Sequence, residues 1–428
     1  MTANTPSPLV PTLRFPEFHN MGDWKRDQIG SIASISKGKG VSKADIAKSG
    51  LTPCIRYAEL YTHYGEEIRE ALSRTNVPPE DLVLSQAGDV IVPASGETRA
   101  DIARAACVVP AGVALGGDLN ILRSDLSGRF LSYLLNSPLR YTIARLAQGD
   151  TVAHLYPGQL SKVTITYPLP AEQQKIANCL GSLDDLIAAE GQKLEALRQH
   201  KQGLMQRLFP QPGETVPQLR FREFRNASDW KTGHCRDIAR VLSGYGFPDK
   251  FQGNKKGQYP FYKVSDISQA IEKGQRYISE ANHYIDSDVL NEIRGKPVPA
   301  GTVIFAKIGE AIRSNRRVIT TKPAMIDNNT AGVKAIKAKS SDEFLFYLWS
   351  NVSLIDHAGG VVPAVSKSTL EMVPVCYPSD PEEQQHIADC LSTLDTRIAA
   401  QMARLYTLRT HKQGLLQQLF PSPEGNEQ

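Results

Sequence analysis

The chain has 428 residues, 41% of them hydrophobic and 22% charged, with a formal net charge of +4. This is the balance of a folded soluble protein, too long for one core, so at least two domains are expected. No apolar run is long enough to cross a bilayer, the N-terminus lacks the basic and apolar segments of a signal peptide, and the six cysteines (Cys54, Cys107, Cys179, Cys235, Cys376, Cys390) form no CxxC pair. These features argue for reduced thiols and a cytoplasmic location, and against a zinc site or disulfide framework.

In chain order, the first recognisable stretch is Pro11–Lys25, and it returns at Pro217–Lys231. Leu13-Arg14-Phe15 matches Leu219-Arg220-Phe221, Glu17-Phe18 matches Glu223-Phe224, and Asp23-Trp24-Lys25 matches Asp229-Trp230-Lys231. Further matches follow: Gly88–Glu97 with Gly301–Glu310, Arg129–Ser137 with Glu343–Asn351, and Val163–Pro168 with Val373–Pro378. The chain is therefore an internal duplication. Short β-branched runs (Asp89–Val92, Thr302–Phe305) alternate with helical patches (Phe130–Leu135, Phe344–Trp349), which predicts a mixed α/β (α+β) fold for each unit. The interiors 61–87 and 268–300 match poorly, so one scaffold presents two different surfaces.

Each unit is followed by a long helical stretch, Glu172–Pro210 and Glu383–Pro421, with about 23 of 38 positions identical from Gln173 and Gln384 onward. Ile176, Leu180, Leu183, Ile187, Glu190, Leu194, Leu197, Lys201, Leu204 and Leu208 step by four and three, as do Ile387, Leu391, Leu394, Ile398, Gln401, Leu405, Leu408, Lys412, Leu415 and Leu419. That is a heptad seam, and it predicts helices that pack along another helix. Pro170 and Pro381 suit a first turn, Asp380 an N-cap, and Pro210 and Pro421 a stop. Two surface helices on their own domains would be the plain alternative. The narrow seam favours an antiparallel coiled coil in which Glu190 meets Gln401, placing Lys201 near Cys390 and Lys412 near Cys179. The expected domains are 1–168 (globular), 169–210 (helix), 211–378 (globular) and 379–428 (helix).

Catalytic motifs are scarce. There is no phosphate loop, no HExxH, no GxSxG and no adenine-methyltransferase tetrapeptide, and the nine histidines have no metal spacing. His200 and His411 sit at outer helix positions. What remains are candidate phosphate and base readers. From 250 to 340 there are roughly 16 Lys/Arg against 8 Asp/Glu, whereas up to Ile165 the tally is roughly 17 against 16; a basic excess suggests a polyanionic partner. In the second unit Lys307 is followed by Arg313, Asn315, Arg316 and Arg317, residue types that read guanine and adenine and hold phosphate. The first unit offers Arg99 and Arg104 in the matching loop. Lys39 and Tyr245, in glycine-bearing turns, could approach a phosphate or stack a ring. Asn328-Asn329 could read bases or form a turn. Solvated loops and ordinary turns are the plain alternatives for all of these.

Two variable units, each followed by a helix with EQQxIAxxLxxLD (Glu172–Asp184, Glu383–Asp395) and HKQGLxQxLFP (His200–Pro210, His411–Pro421), resemble the specificity (S) subunit of type I restriction-modification systems. The lead-in Arg14-Phe15-Pro16-Glu17-Phe18 and Trp24-Lys25 also resemble that family, and the likeness covers essentially the whole chain. It implies two target-recognition domains, each reading half of a bipartite double-stranded DNA target. It implies that the helical pair sets the gap and docks two methyltransferase subunits, with two restriction/motor subunits completing the complex. The chain itself would be non-catalytic and hold no cofactor or metal. S-adenosylmethionine, ATP and Mg would be bound by the partners, which would supply adenine methylation and cleavage. A protein-interaction scaffold with no DNA role, and a subunit serving a methyltransferase alone, stay open at this point; a free-standing enzyme is opposed by the absent motifs.

Overall fold

The computed structural model describes residues 10–149 and 152–421. The chain divides into two compact units, one of Met1–Ala188 with Thr407–Gln428 and one of Ala189–Tyr406. The divisions fall inside the two long helices, and each helix end is packed into a globular core.

The first unit is built on a five-stranded sheet in the order Ala33–Lys37, Leu119–Ser124, Asp89–Pro93, Ala106–Val108, Glu67–Ile68. All neighbours are antiparallel except the last pair. The β-branched run Asp89–Pro93 is buried at every position, as befits a central strand. The helix Gly128–Asn136 contributes Phe130, Tyr133 and Leu134 to the same core, and it is capped by Ser127, whose hydroxyl accepts from Phe130 N. A smaller sheet orders Ser73–Thr75, Thr52–Ile55 and Ala114–Leu115.

The second unit repeats the plan: Ala239–Ser243, Thr330–Ala335, Val303–Ala306, Arg317–Thr320, Tyr277–Ile278, with a small sheet of Tyr284–Ile285, Tyr259–Tyr262 and Met325–Ile326. The helix Asp342–Ser350 is capped by Ser341. In each unit a two-stranded ribbon joins entry to exit, Lys25–Gln28 with Thr164–Tyr167 and Lys231–His234 with Pro374–Tyr377.

The lead-in motif is explained by one buried ion pair per unit. Arg14 donates through Nε and Nη2 to Glu172 at 2.9 and 2.8 Å, and Arg220 does the same to Glu383 at 2.7 and 2.8 Å. Both glutamates are 1% exposed, so the bidentate arginine offsets the cost of burying their charge. Gln173 accepts from Ser127 N and donates to Pro168 O, and Gln384 donates to Pro378 O and Lys339 O. The Glu-Gln-Gln motif is thus a clasp between the helix start and the globular fold.

The long helices run Pro170–Leu208 and Pro381–Gln418, each about 57 Å at 1.5 Å per residue. Asp380 Oδ1 accepts from Glu382 N at 2.8 Å, as an N-cap does. All twenty seam residues are buried or partly buried. The pairing is antiparallel: within the second unit Gln401 donates to Glu190 O at 2.9 Å and to Glu190 Oε2 at 2.5 Å, while Lys201 reaches Asp395. Donation by Gln401, then the charge of Arg404, holds the Glu190 carboxyl below its ordinary value.

Each seam lysine finds an aspartate, which supplies the counter-charge that a thiol would not. Lys201 Nζ lies 2.5 Å from Asp395 Oδ1, and Lys412 Nζ 2.6 Å from Asp184 Oδ1. The other oxygen of each carboxylate accepts from a tyrosine of the globular fold, Tyr347 at 2.6 Å and Tyr133 at 2.7 Å. Burial, then the neighbouring carboxylate, raises both phenols, so they stay protonated donors.

The helix ends plug the cores. Phe209 packs edge-on against Trp230 (5.9 Å) and stacks with Phe344 (6.0 Å) in the second unit. Phe420 lies 6.4 Å from Trp24 and 5.6 Å from Phe130 in the first. Burying such a ring contributes about 1.5–3 kcal/mol. All six cysteines are free thiols; burial pushes Cys54 up to about 11 and Cys107 and Cys235 up to about 12. Among the described residues no helix is long and apolar enough to cross a membrane.

The Lys201→Ala change removes one charge-assisted bond from Asp395, leaving it Tyr347 and, at 3.6 Å, Arg276, and should lower stability by about 1–3 kcal/mol, read as a fall in Tm. A Tm equal to wild type would mean the lysine contributes nothing at this junction.

Candidate nucleic-acid interface

Antiparallel pairing gathers the loops of the second unit at one end of its sheet. The register places Ser243 opposite Ala331, Ala306 opposite Thr330, and Phe305 opposite Arg317. The turn bearing Tyr245, the turn Asp327–Asn329, Lys307 and the segment Asn315–Arg317 therefore share that end. Gly244 is required there: a Cβ would lie 1.8 Å from Asp327 O. Tyr245 N donates to Ile326 O, and its ring is half-buried against the cluster of Phe261, Ile285 and Met325. Asn329 donates to Asp327 Oδ2 in a turn that leaves Asn328 and Asn329 exposed.

The loop after Val303–Ala306 is stitched to a hairpin, residues 359–364. Gly309 N donates to Pro363 O at 2.7 Å, Val365 N to Lys307 O at 2.9 Å, and Gly359 and Ala364 exchange two backbone bonds. Lys307 is half-buried and Arg313 exposed. Arg313 lies 2.9 Å from Glu310 and Arg316 3.5 Å from Glu272. Exposed pairs of this kind are weak and leave the arginines free to exchange partners. Asn315 adopts a left-handed φ of 52° and donates to Ser350 O.

Arg317 is a correction. It was expected to read DNA, but it is 2% exposed, because its strand is buried at all four positions. Its guanidinium donates to Asn315 O at 2.8 Å and Val352 O at 2.7 Å and lies over the Phe305 ring. Burial pulls its pKa down to about 9. Arg317 supports the loop from beneath.

In the first unit the same construction recurs. Ser95–Gly96 pairs with Ala153–His154, and Leu155 N donates to Ala94 O. Lys39 is exposed, 3.8 Å from Asp81, and its turn is pinned by Gly38, where a Cβ would lie 2.1 Å from Gly116 O. Arg99 is exposed at the start of the short helix Arg99–Ile102, capped by Thr98. Arg104 is half-buried, with a sealed Nε that has no hydrogen-bond partner. His154 stacks with the exposed Tyr156, and Lys37 Nζ lies 5.8 Å from that ring. Reading the sequence alone misses the 359–364 hairpin; the signal available was its pair of glycines just before Val365. His200 and His411 are exposed. Among the described residues no group of three or more His, Cys, Asp or Glu could hold a metal ion. The arrangement offers rigid backbone, cationic side chains and aromatic rings at one sheet end, the groups that hold phosphates and meet bases.

A family model described as Type I restriction modification DNA specificity domain matches residues 21–199 and 227–407. Among curated proteins the chain is 24% identical over 247 residues to the type I restriction enzyme MjaIX specificity subunit of Methanocaldococcus jannaschii, covering 54% of each. It is 20% identical over 352 residues to the MjaVIII specificity subunit of the same organism, covering 78% of this chain and 75% of that one. The chain spans about half the length of the MjaIX relative and of the putative MjaX specificity subunit. Among solved structures, the type I restriction-modification S subunit from M. genitalium superposes with a TM-score of 0.61 at 15% identity, over 96% of this chain and 99% of that one. A chain from work on complex assembly and conformational transition of the type I R-M system gives 0.55 at 15% identity, over 94% and 98%. At such identities the likeness is one of fold.

Changing Lys307, Arg313 or Arg316 to alanine should weaken duplex binding by roughly 1–3 kcal/mol where the residue makes a bidentate base contact. Arg317→Ala should instead lower Tm. Unchanged affinity in all three surface variants, measured by titration at fixed salt, would remove this loop from the interface.

Proposed function

Because the chain belongs to the type I restriction-modification DNA specificity family, with two copies of its domain, we propose that each globular unit reads one half of a bipartite duplex target. The chain is the specificity subunit, and its two recognition domains face different half-sites. The observation that carries this reading is the repeated sheet end. The same backbone bonds, Leu155 N to Ala94 O and Val365 N to Lys307 O, hold loops of different sequence in the two units. A fixed frame with exchangeable tips is what reading two unrelated half-sites requires.

The paired helices set the gap between the half-sites. Each helix starts in one compact unit and ends in the other, and the polar pairs Glu190–Gln401, Lys201–Asp395 and Lys412–Asp184 lock their register. The outer faces dock two methyltransferase subunits; Tyr406, 74% exposed on the C-terminal helix, is an apolar group suited to such a contact. Those subunits bring S-adenosylmethionine and the adenine chemistry. Restriction/motor subunits, where present, bring ATP and Mg.

Methylome sequencing of a host with and without this chain, together with its methyltransferase, tests the assignment. A bipartite adenine-methylated motif that disappears with the chain is the expected result; an active methyltransferase with no motif change would refute it. Adding one helical turn to both helices beside Glu190 and Gln401 should lengthen the tolerated gap by about one or two base pairs, given about 5.4 Å per helical turn and 3.4 Å per base pair. A motif with its gap unchanged would sink the ruler.

A further inference from the structure

The least expected surface of the second unit is apolar. Val361 is fully exposed and Val362 is 61% exposed, side by side at the tip of the 359–364 hairpin. Isolated surface valines need no explanation. Two adjacent ones on a rigid projection do, and this projection is held rigidly. Gly359 and Ala364 close it, and Gly360 takes the left-handed φ of 89° that its turn requires. Gly309 N fastens it to the basic loop through Pro363 O. Arg317, buried beneath, joins Asn315 O of that loop to Val352 O of the segment that leads into the hairpin. Apolar tip and cationic loop therefore form one body, and little conformational freedom is left to lose on binding.

We infer that the Val361–Val362 tip enters a groove of the duplex and makes an apolar contact with the bases while the adjoining Lys307–Arg316 loop holds the phosphates. This deepens the DNA-reading assignment above and rests on it. The charges around the tip select the occupant. Lys307, Arg313 and Arg316 lie on the loop it is bonded to, against Glu310 and Glu272, which pair with the two arginines. An apolar point beside cations suits a polyanion whose interior is apolar, a property of stacked bases behind a phosphate backbone. Two base contacts share this chemistry, the thymine methyl in the major groove and the face of an unstacked base step. The corresponding stretch of the first unit reads Gly149-Asp150-Thr151-Val152. The paired valines are thus specific to the half-site read by the second unit.

The test uses the full chain assembled with its methyltransferase subunits and a duplex carrying the motif found by methylome sequencing. The double variant V361S/V362S should bind this duplex about tenfold more weakly, while its affinity for random-sequence duplex, its salt slope and its Tm stay at wild-type values. Valine at position 361 replaced by leucine, V361L, should retain affinity for the target. In cells, the variant should relax one half-site of the methylated motif and leave the other intact. Uracil in place of thymine should weaken wild type but cost the variant nothing further if the contact is to a methyl group. 2-Aminopurine in the half-site should brighten with wild type alone if a base step is opened. Equal target affinity and an unchanged motif in V361S/V362S would overturn the inference while leaving the DNA-reading assignment intact. A wild-type complex that does not distinguish the target from random duplex would overturn that assignment, and this inference with it.

Discussion

One partly buried aspartate per unit holds the fold's three parts together. Asp184 accepts from Tyr133 of the globular fold and from Lys412 of the C-terminal helix, while itself belonging to the central helix. Asp395 repeats this with Tyr347 and Lys201. An all-leucine seam could slide by a heptad at small cost. A seam lysine cannot, since any other register buries its charge without a partner. Helix register and helix placement on the sheet scaffold are thereby set by the same atoms. Burial, then the adjoining carboxylate, raises each phenol, which serves the junction as a donor.

On this frame the sheet ends are free to vary. The backbone bonds that tie each hairpin to its loop involve main-chain atoms, which every sequence supplies, so side chains at the tips can change without disturbing the frame. The net charge of +4 is too small to drive tight binding by bulk attraction. Discrimination has to come from a few well-placed groups, and Arg317 shows how that placement is achieved. A cation removed from the surface fixes the backbone that carries its neighbours.

The duplication and the helices were legible because periodicity is a local property. Ile176 to Leu208 reads as a seam in any context, and the Glu190–Gln401 pairing follows from symmetry about the repeat. The partners of Lys201 and Lys412 were not legible. They lie about one turn from the position directly opposite and depend on a tyrosine that only tertiary structure brings near. Arg317 misled because a run of Arg-Arg beside Ser-Asn looks like an exposed loop; in fact the strand begins there and is buried on both faces. Pro210 and Pro421 read as stops, and the helices do end before them; nothing local marks Phe209 and Phe420 as core residues. Gly-Gly-Val-Val-Pro carries no local signal of its role, because the hydrogen bonds that fasten it to the basic loop come from residues some fifty positions earlier.

The Phe420 plug also orders events in time. The second unit is one continuous stretch, Ala189–Tyr406, and all its parts have emerged once that stretch has been synthesised. The first unit is closed by Leu419 and Phe420 against Trp24 and Phe130, although the rest of it was made more than two hundred residues earlier. At about 5–20 residues per second, its aromatic core waits roughly 10–50 s on the ribosome with one side open. The unit translated first is thus the last to be completed, and a nascent chain stalled before residue 407 presents an aromatic core without its plug rather than a finished reading domain.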